Sequence, residues 1–290
     1  MRNEMKGSEV KRVALVTDSS CDLPDEIIKA HGITILPLKI VYPDREYQDR
    51  FDIMPDEVYA RMPEEVPRTS MPSAGEVVQL LERLKSEGFR EVLAVLISSG
   101  LSGTHDMFKM IGQQMENLYV EALDSLNLSM GLGFQVCEAA EQLKRNLKLE
   151  EIVANLRFIR QRVRVFYVIP SLQYLRKGGR IGLVEGTIGE LLNIKPIISV
   201  NSEGKYFTFT KVRGRKASLQ KLAEIARESI GEKRVDLAVM HGGAYQEAEQ
   251  LLEKLRKALP NIRKSSLGQI SPALGVHTGP GLVGVAFYEV

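Results

Sequence analysis

Hydroxyl side chains are concentrated in the seven residues 98–104, which read Ser-Ser-Gly-Leu-Ser-Gly-Thr. They follow the apolar run 92–97 and precede a segment typical of a helix. Hydroxyls and glycines at a helix start offer backbone N–H groups and a favourable dipole to an anion. Serine and threonine also cap helices, but Ser98, Ser99, Ser102 and Thr104 together exceed what one cap needs. The segment therefore favours anion binding over capping alone.

Three other polar segments accompany this loop. Residues 18–20 (Asp-Ser-Ser) follow the first predicted strand, residues 68–73 (Arg-Thr-Ser-Met-Pro-Ser) precede a helix, and residues 277–281 (His-Thr-Gly-Pro-Gly) precede the last strand. Ligands of open α/β sheets bind beyond the carboxyl ends of the strands, so segments 18–20 and 98–104 are expected to border one site.

Two of these segments allow two interpretations each. Thr69 and Ser70 either belong to a helix cap or donate hydroxyl hydrogen bonds to a ligand. His277 is either a structural hydrogen-bonding group or a functional one, held in a tight loop by the glycines and proline that follow it. The residues alone decide neither question.

The first half of the chain repeats a strand–helix–strand order. A β-branched and aliphatic run at 12–17 predicts a buried strand, a helix is expected from about 24 to 31, and Gly32 marks its end. The order continues with a strand at 33–41, a helix at 76–87, a strand at 92–97, a helix at about 104–116 and a strand at 119–123. This alternation predicts an α/β fold with a mainly parallel sheet and helices on both of its faces.

The second half has a different pattern. A helix is expected at 149–163, followed by a strand at 165–169, a Gly-rich turn at 177–179 and a helix leading to Leu192. The strands 194–200 and 206–212 flank Asn-Ser-Glu-Gly, which is a good hairpin turn. The remaining predicted elements are helix 217–230, strand 235–240, helix 244–258, strand 262–270 and strand 282–288. A hairpin in an alternating pattern indicates a mixed sheet, and we expect two domains, residues 1–160 and 161–290.

Composition narrows the class of protein. The formal net charge of +2 argues against a nucleic-acid-binding protein. Cys21 and Cys137 have no spacing suited to a disulfide framework or a zinc site, and no metal is expected. The polar N-terminus lacks a signal peptide's apolar core, and the run 92–97 is too short to cross a bilayer. These features favour a cytoplasmic location.

A hydrolase is the alternative from a different functional class. Ser102, Asp236 and His277 occur in the chain order of an α/β-hydrolase triad, but the G-x-S-x-G motif is absent around Ser102. Asp236 also opens a predicted strand, whereas the catalytic acid of that fold follows one. Neither the dinucleotide motif nor a P-loop is present. A serine hydrolase or small transferase that uses Ser102 and His277 remains the second hypothesis.

The chain resembles the DegV family of bacterial fatty-acid-binding proteins along nearly its whole length. The resemblance rests on several short motifs taken together. As they stand here, the motifs are VTDSSCDLP at 16–24, TSMPS at 69–73, ISSGLSGT at 97–104, YLRKGGRI at 174–181, LNIKPI at 192–197, VRGRK at 212–216 and VHTGPG at 276–281.

This resemblance implies a two-domain protein with one long acyl chain, similar to palmitate, in a tunnel between the domains. It implies no catalytic residue or cofactor in this chain. The chain would be the acyl-carrying subunit of a fatty acid kinase, which presents the carboxylate to a separate ATP-dependent subunit, and transient contact with a membrane surface is compatible with that role. The implied carboxylate-binding residues are Thr69, Ser70, Ser98, Ser99, Ser102 and His277, and the implied partner-facing residues are Arg180 and Arg215.

One departure from the family pattern concerns residues 105–108. The family commonly continues with Tyr-Gln and small residues after Ser-Gly-Thr, whereas this chain has His105-Asp106-Met107-Phe108. The departure leaves the shape of the tunnel near this helix open.

Overall fold

A computed structural model describes residues 13–62, 64–187 and 194–290 of the chain. The strands of these ranges are β1 (Val13–Asp18), β2 (Thr34–Leu36), β3 (Lys39–Val41), β4 (Glu46–Gln48), β5 (Arg68–Ser70), β6 (Glu91–Leu96), β7 (Tyr119–Asp124), β8 (Val163–Val168), β9 (Ile194–Val200), β10 (Tyr206–Arg213), β11 (Val235–Gly242), β12 (Ile262–Gln269) and β13 (Leu282–Glu289). The α-helices are α1 (Asp25–His31), α2 (Pro55–Arg61), α3 (Ala74–Ser86), α4 (Thr104–Gly112), α5 (Met130–Lys144), α6 (Leu149–Ile159), α7 (Gln173–Lys177), α8 (Arg215–Ile230), α9 (Tyr245–Ala258) and α10 (Pro272–Thr278).

The predicted parallel sheet is confirmed. Its strand order is β2-β1-β6-β7, and every pairing is parallel. Successive side chains of a strand point to opposite faces: Ala14 and Val16 pack against α3 and α4, whereas Leu15 packs against α5 and α6. The continuous apolar run in β1 is therefore explained by helices on both faces.

The predicted mixed sheet is also confirmed. Its order is β10-β9-β8-β13-β11-β12, in which only β11 and β12 run parallel. The strands β9 and β10 form the expected antiparallel hairpin, with Val200 opposite Tyr206. One face of this sheet packs against α8 and α9 through Phe166 and Val168.

The two sheets share a layer of helix between them. Helix α5 contacts β1 and β6 of the parallel sheet and β8 and β13 of the mixed sheet. Leu132 and Val136 of this helix are fully buried, in one apolar cluster with Leu15 and Tyr167. The strands of the parallel sheet end at Asp124 and those of the mixed sheet begin at Val163, but this cluster spans both. The boundary at residue 160 therefore stays a prediction.

The single strand expected at 33–41 is wrong. Pro37 has no N–H for a strand ladder, and the chain changes sheets there: Leu36 pairs with Asp18, whereas Lys39 pairs with Gln48 and Ser70. The strands β4, β3 and β5 form a third, antiparallel sheet, against which α2 and α10 pack. The strand at residues 68–70 and the helices α2 and α5 are not among the elements predicted from the sequence.

Several helix boundaries also differ from the prediction. Helix α4 ends at Gly112, where a side chain would collide with Val120 of the neighbouring strand. Helix α6 ends at Ile159 because Val163 already begins β8. The last residues of the helix expected up to Leu192 lie outside the described ranges, and none of the described helices is long and apolar enough to span a bilayer.

The shared core predicts that both sheets respond to one substitution. Leu132→Ala removes a fully buried side chain of α5, and we expect it to lower the free energy of unfolding by about 2–5 kcal/mol. Chemical denaturation followed by circular dichroism and by tyrosine fluorescence measures the loss. Val78→Ala on α3, where the valine is 41% exposed, is the control. Two separated transitions, with only one of them shifted, would contradict a core common to both sheets.

Candidate functional site

A hydrogen bond joins two of the predicted site residues from opposite ends of the chain. Thr69 Oγ1 lies 2.7 Å from His277 Nε2, although the residues are 208 positions apart. Thr69 is held by the pairing of β5 with β3, in which it lies opposite Ile40. His277 is in the last turn of α10, so the expectation of a loop at this histidine is wrong.

Burial keeps His277 neutral. Desolvation, reinforced by the positive charge of Arg180, lowers the pKa of the imidazole to about 3. Nδ1 is buried and finds no hydrogen-bond partner among the described residues. A proton on Nδ1 would thus lack an acceptor, so the least costly tautomer carries it on Nε2. Nε2–H then donates to Thr69 Oγ1, and the threonine hydroxyl can donate to a third group.

The Thr69–His277 pair lies in the wall of a small inner cavity of about 40 Å³. This cavity brings together Thr69, Ser70, Ser102 and His277, along with Arg180, from four separate segments. Its other walls are apolar except for Tyr206. They are formed by Leu38, Met71, Ile97, Leu101, Tyr206, Ala273 and Leu274.

An apolar cavity continues from the inner one, with Tyr206 and Leu274 in the walls of both. It lies between the mixed sheet and the start of α5. Its walls include Leu128, Val165, Tyr167, Met240, Ile270, Leu282 and Ala286. The volume is about 30 Å³, close to the space of one water molecule. An acyl chain therefore enters this space only if side chains move.

A wider cleft of about 480 Å³ lies on the other side of the pair. Thr69, His277 and Arg180 line both this outer cleft and the inner cavity. Arg68 and Lys177 add two further cationic side chains, and no carboxylate is among its described walls. Arg180 donates to Gly178 O at 2.9 Å. The outer cleft thus offers positive charge directly beside the buried pair.

The hydroxyls of Ser98 and Ser99 are hydrogen-bonded to other groups of the protein. The Ser98 hydroxyl is buried and donates to Gly204 O at 2.8 Å, at the tip of the β9–β10 hairpin. The Ser99 hydroxyl and backbone N–H both donate to the carboxylate of Asp124. Neither residue lines the inner cavity, whereas Ser102 does, with its hydroxyl 2.8 Å from Thr104 Oγ1. The assignment of Ser98 and Ser99 to a carboxylate ligand stays a prediction.

The backbone groups of segment 98–104 are also largely occupied. The N–H of Gly100 donates to Ser98 Oγ, and those of Leu101 and Ser102 donate to Ser98 O. The N–H groups of residues 99–102 are therefore occupied, because Asp124 and the loop itself accept from them.

Residues 18–20 (Asp-Ser-Ser) form hydrogen bonds with segments next to the inner cavity but do not line the cavity. Asp18 is fully buried and accepts from the Ile97 N–H at 2.6 Å, which ties the end of β1 to the start of segment 98–104. Ser19 accepts from the Leu38 N–H at 2.9 Å. The two segments are adjacent as predicted, but only the second reaches the cavity.

The departure at residues 105–108 does not reach the inner cavity. Phe108 is fully buried against the helix α3 face of the parallel sheet, in the cluster with Leu81. The His105 ring is bonded to Asp106. Neither residue is among those lining the inner or apolar cavity.

The geometry gives no support to the hydrolase hypothesis. His277 Nε2 is engaged by Thr69 and not by Ser102. Asp236, the expected acid, forms a two-pronged ion pair with Arg263. The nucleophile–base–acid sequence of contacts that such catalysis requires is therefore not formed by these residues. In the described ranges there is also no cluster of three metal-ligating side chains.

The two predicted partner-facing arginines have different surroundings. Arg180 lies between the inner cavity and the outer cleft, and no described carboxylate is within salt-bridge distance of it. Arg215 donates from Nε and Nη2 to the two carboxylate oxygens of Glu247 and lines neither space. Sequence reasoning missed Tyr206 and Lys177. The predicted hairpin was the available signal for Tyr206, since one face of a hairpin strand points inward.

Known proteins resemble this chain over almost all of its length. A family model described as "Uncharacterised protein, DegV family" matches residues 12–290. A DegV domain-containing protein of Clostridium acetobutylicum is 44% identical over 280 residues, which cover 97% of this chain and all of the relative.

Solved structures agree in fold. A fatty-acid-binding DegV family protein from Thermus thermophilus superposes with a TM-score of 0.90 at 28% identity, covering 96% of this chain and 100% of the other. A fatty-acid-binding DegV family protein from Streptococcus agalactiae gives a TM-score of 0.89 at 30% identity, covering 97% and 99%. The family match and the close curated relative lead to one conclusion: the chain belongs to the DegV family.

Proposed function

We propose that this protein binds one long-chain fatty acid, with the carboxylate at Thr69, Ser102 and His277 and the acyl chain in the apolar space beyond Tyr206. The observation that carries the proposal is the position of the Thr69–His277 pair. It lines a basic outer cleft and the small inner cavity, which shares Tyr206 and Leu274 with an apolar cavity. Fatty-acid binding by two DegV structures of the same fold supports it.

The head group would be held mainly by hydroxyl donors. With the His277 proton on Nε2, the Thr69 hydroxyl is oriented to donate to a carboxylate, and the Ser102 hydroxyl lines the same cavity. Hydrogen bonds to a charged acceptor are about twice as strong as neutral ones. Arg180 adds favourable charge from the side. Such donors leave one carboxylate oxygen accessible, as phosphoryl transfer requires.

The acyl chain would supply most of the affinity. Burial of one methylene contributes about 0.8 kcal/mol, so a sixteen-carbon chain contributes on the order of 10 kcal/mol before ordering costs. Met240 is the wall residue best able to move, because its side chain is unbranched and flexible. Gly284 leaves space beside Tyr167 that any larger residue would fill.

The outer cleft suits presentation of the carboxylate to a separate ATP-dependent kinase subunit. Arg68, Lys177 and Arg180 would attract the phosphates of a donor nucleotide on that partner. Of the two arginines predicted to face it, Arg180 is directly at the cleft, whereas Arg215 acts only if it exchanges Glu247 for the partner. Use of ATP suggests a cytoplasmic setting, and acquiring the fatty acid suggests transient contact with a membrane surface.

Native mass spectrometry of the purified protein, followed by lipid extraction, tests the ligand class. We expect one fatty acid per chain, and its length identifies the acyl preference. A protein that carries no fatty acid and takes up none from stearate or palmitate solution would overturn the proposal.

Thr69→Ala is expected to weaken fatty-acid binding by about 10- to 100-fold, the range of one hydrogen bond to a charged group. Thr69→Ser is the matched control because it keeps the hydroxyl and should retain affinity within a few-fold. Displacement of a fluorescent fatty acid measures both variants. Equal affinities for the alanine and serine variants would show that this hydroxyl does not bind the carboxylate.

Gly178→Ala tests the role of the imidazole without touching it. A Cβ at residue 178 would lie 2.0 Å from His277 Nδ1, and the backbone of residue 178, with φ of −78°, accepts alanine without strain. The ring must therefore leave its present position beside Thr69, and we expect at least about tenfold weaker binding. Isothermal titration measures it. Gly75→Ala, where the new Cβ meets nothing closer than 4.0 Å, should leave affinity unchanged, and unchanged affinity in the first variant would exclude His277 from the site.

A further inference from the structure

Two buried carboxylates from the first half of the chain meet the start of helix α10. Asp22 Oδ1 accepts from the Ser271 N–H at 2.8 Å, and Asp49 Oδ1 accepts from the Ala273 N–H at 2.9 Å. Pro272, between them, has no N–H to satisfy. The backbone donors of residues 271–273 are therefore taken by side chains that are 249 and 224 positions away in the sequence.

Each carboxylate is itself fixed by another element. Asp22 Oδ2 accepts from the Ser129 hydroxyl, which precedes α5. The Asp49 N–H donates to Leu38 O at 2.9 Å, between β2 and β3. Both aspartates are nearly or fully inaccessible to solvent. Helix α10 is thereby tied to the central helix layer and to the third sheet at once.

We infer that Asp22 and Asp49 are positioning residues of the proposed fatty-acid site, holding α10 so that His277 stays on Thr69, and that loosening this contact releases the ligand. The inference rests on the proposed function and deepens it. His277 is five residues beyond Pro272 on a helix of only two turns, so a shift of the helix start moves the imidazole by a similar amount. The helix also packs against α2, α7, β3 and β5. The carboxylates, which accept from N–H groups at its start, fix its position along its own axis.

The charge state of the pair responds to pH in the physiological range. Burial raises the pKa of Asp22 to about 7, opposed by the Ser129 hydroxyl, the Ser271 N–H and Arg50. Burial raises the pKa of Asp49 to about 6, opposed by the Ser19 hydroxyl, the Ala273 N–H and Arg50. The other ionisable groups around the pair are Asp18, Cys21, Tyr59 and Tyr206.

The sign of the effect on stability follows from these directions. Both pKa values are raised from 3.8 on folding, so the stability that the pair contributes is fully present below about pH 4. It is lost as the pH rises through about 6 and then about 7. Asp22→Asn keeps an acceptor for the Ser271 N–H but does not ionise. The melting temperature of this variant, relative to that of the wild type, should therefore rise from pH 5 to pH 8.

The deciding experiment compares two substitutions at Ser271. Residue 271 has φ of −60°, which proline adopts, so Ser271→Pro deletes the N–H donor to Asp22 and leaves the carboxylate in place. Ser271→Ala keeps the N–H and removes a hydroxyl that has no partner among the described residues. We measure the dissociation rate of cis-parinaric acid and the NMR signals of the His277 ring for both.

We expect Ser271→Pro to speed dissociation about tenfold or more and to shift the His277 signals, with Ser271→Ala close to wild type. The same pattern should separate Asp22→Ala from Asp22→Asn, the conservative variant that restores the acceptor. Folded Ser271→Pro protein with wild-type dissociation and wild-type His277 signals would overturn the inference. If wild-type protein does not bind the probe, the proposed function fails instead, and the His277 signals still decide whether the carboxylates position the ring.

Discussion

The hydrogen bond between Thr69 and His277 depends on nearly every layer of this fold. Thr69 is in place because a short strand pairs with β3 after the chain leaves the parallel sheet at Pro37. His277 is in place because α10 starts on two buried carboxylates and because Gly178 leaves room for the imidazole ring. No local segment specifies this contact, which results from how three sheets meet.

Two carboxylates of the protein itself accept from donors beside the inner cavity. Asp124 accepts from the backbone N–H and hydroxyl of Ser99, and Asp18 accepts from the Ile97 N–H. Backbone donors of Ile97 and Ser99 are thus already hydrogen-bonded to carboxylates of the protein. The remaining donors are the hydroxyls of Thr69 and Ser102, with one arginine at the side. A carboxylate bound there would be held firmly enough to be oriented but without a direct two-pronged ion pair.

Local patterns predicted most of the secondary structure, because periodic burial is a local property. The continuous apolar run in β1, the hairpin turn at residues 201–204 and the glycine after α1 all led to correct elements. The third sheet was missed because its strands have three residues each, too few for a periodic pattern. The loop around His277 was a wrong prediction for a related reason: α10 is short, and its start is stabilised by side chains from the other half of the chain.

The candidate site was predictable only in part. Residue types and resemblance pointed to segments that the structure brings together, and four of the six predicted head-group residues line one cavity. The distinction between Ser102, which faces the cavity, and Ser98 and Ser99, which do not, depends on Gly204 and Asp124. These partners are 106 and 25 positions away, and a single sequence contains no signal for such pairings.

If the protein carries a fatty acid as proposed, the small volume of the apolar cavity affects how the acyl chain leaves it. A fold that keeps a wide hydrated slot when unloaded would pay for exposed apolar surface, whereas here Met240, Leu274 and their neighbours already fill the space. These side chains act as an intramolecular competitor for the same volume. Occupancy would then depend on the difference in free energy between two packings of one interior. The protein's own side chains could refill the space and displace an acyl chain after its head group has dissociated.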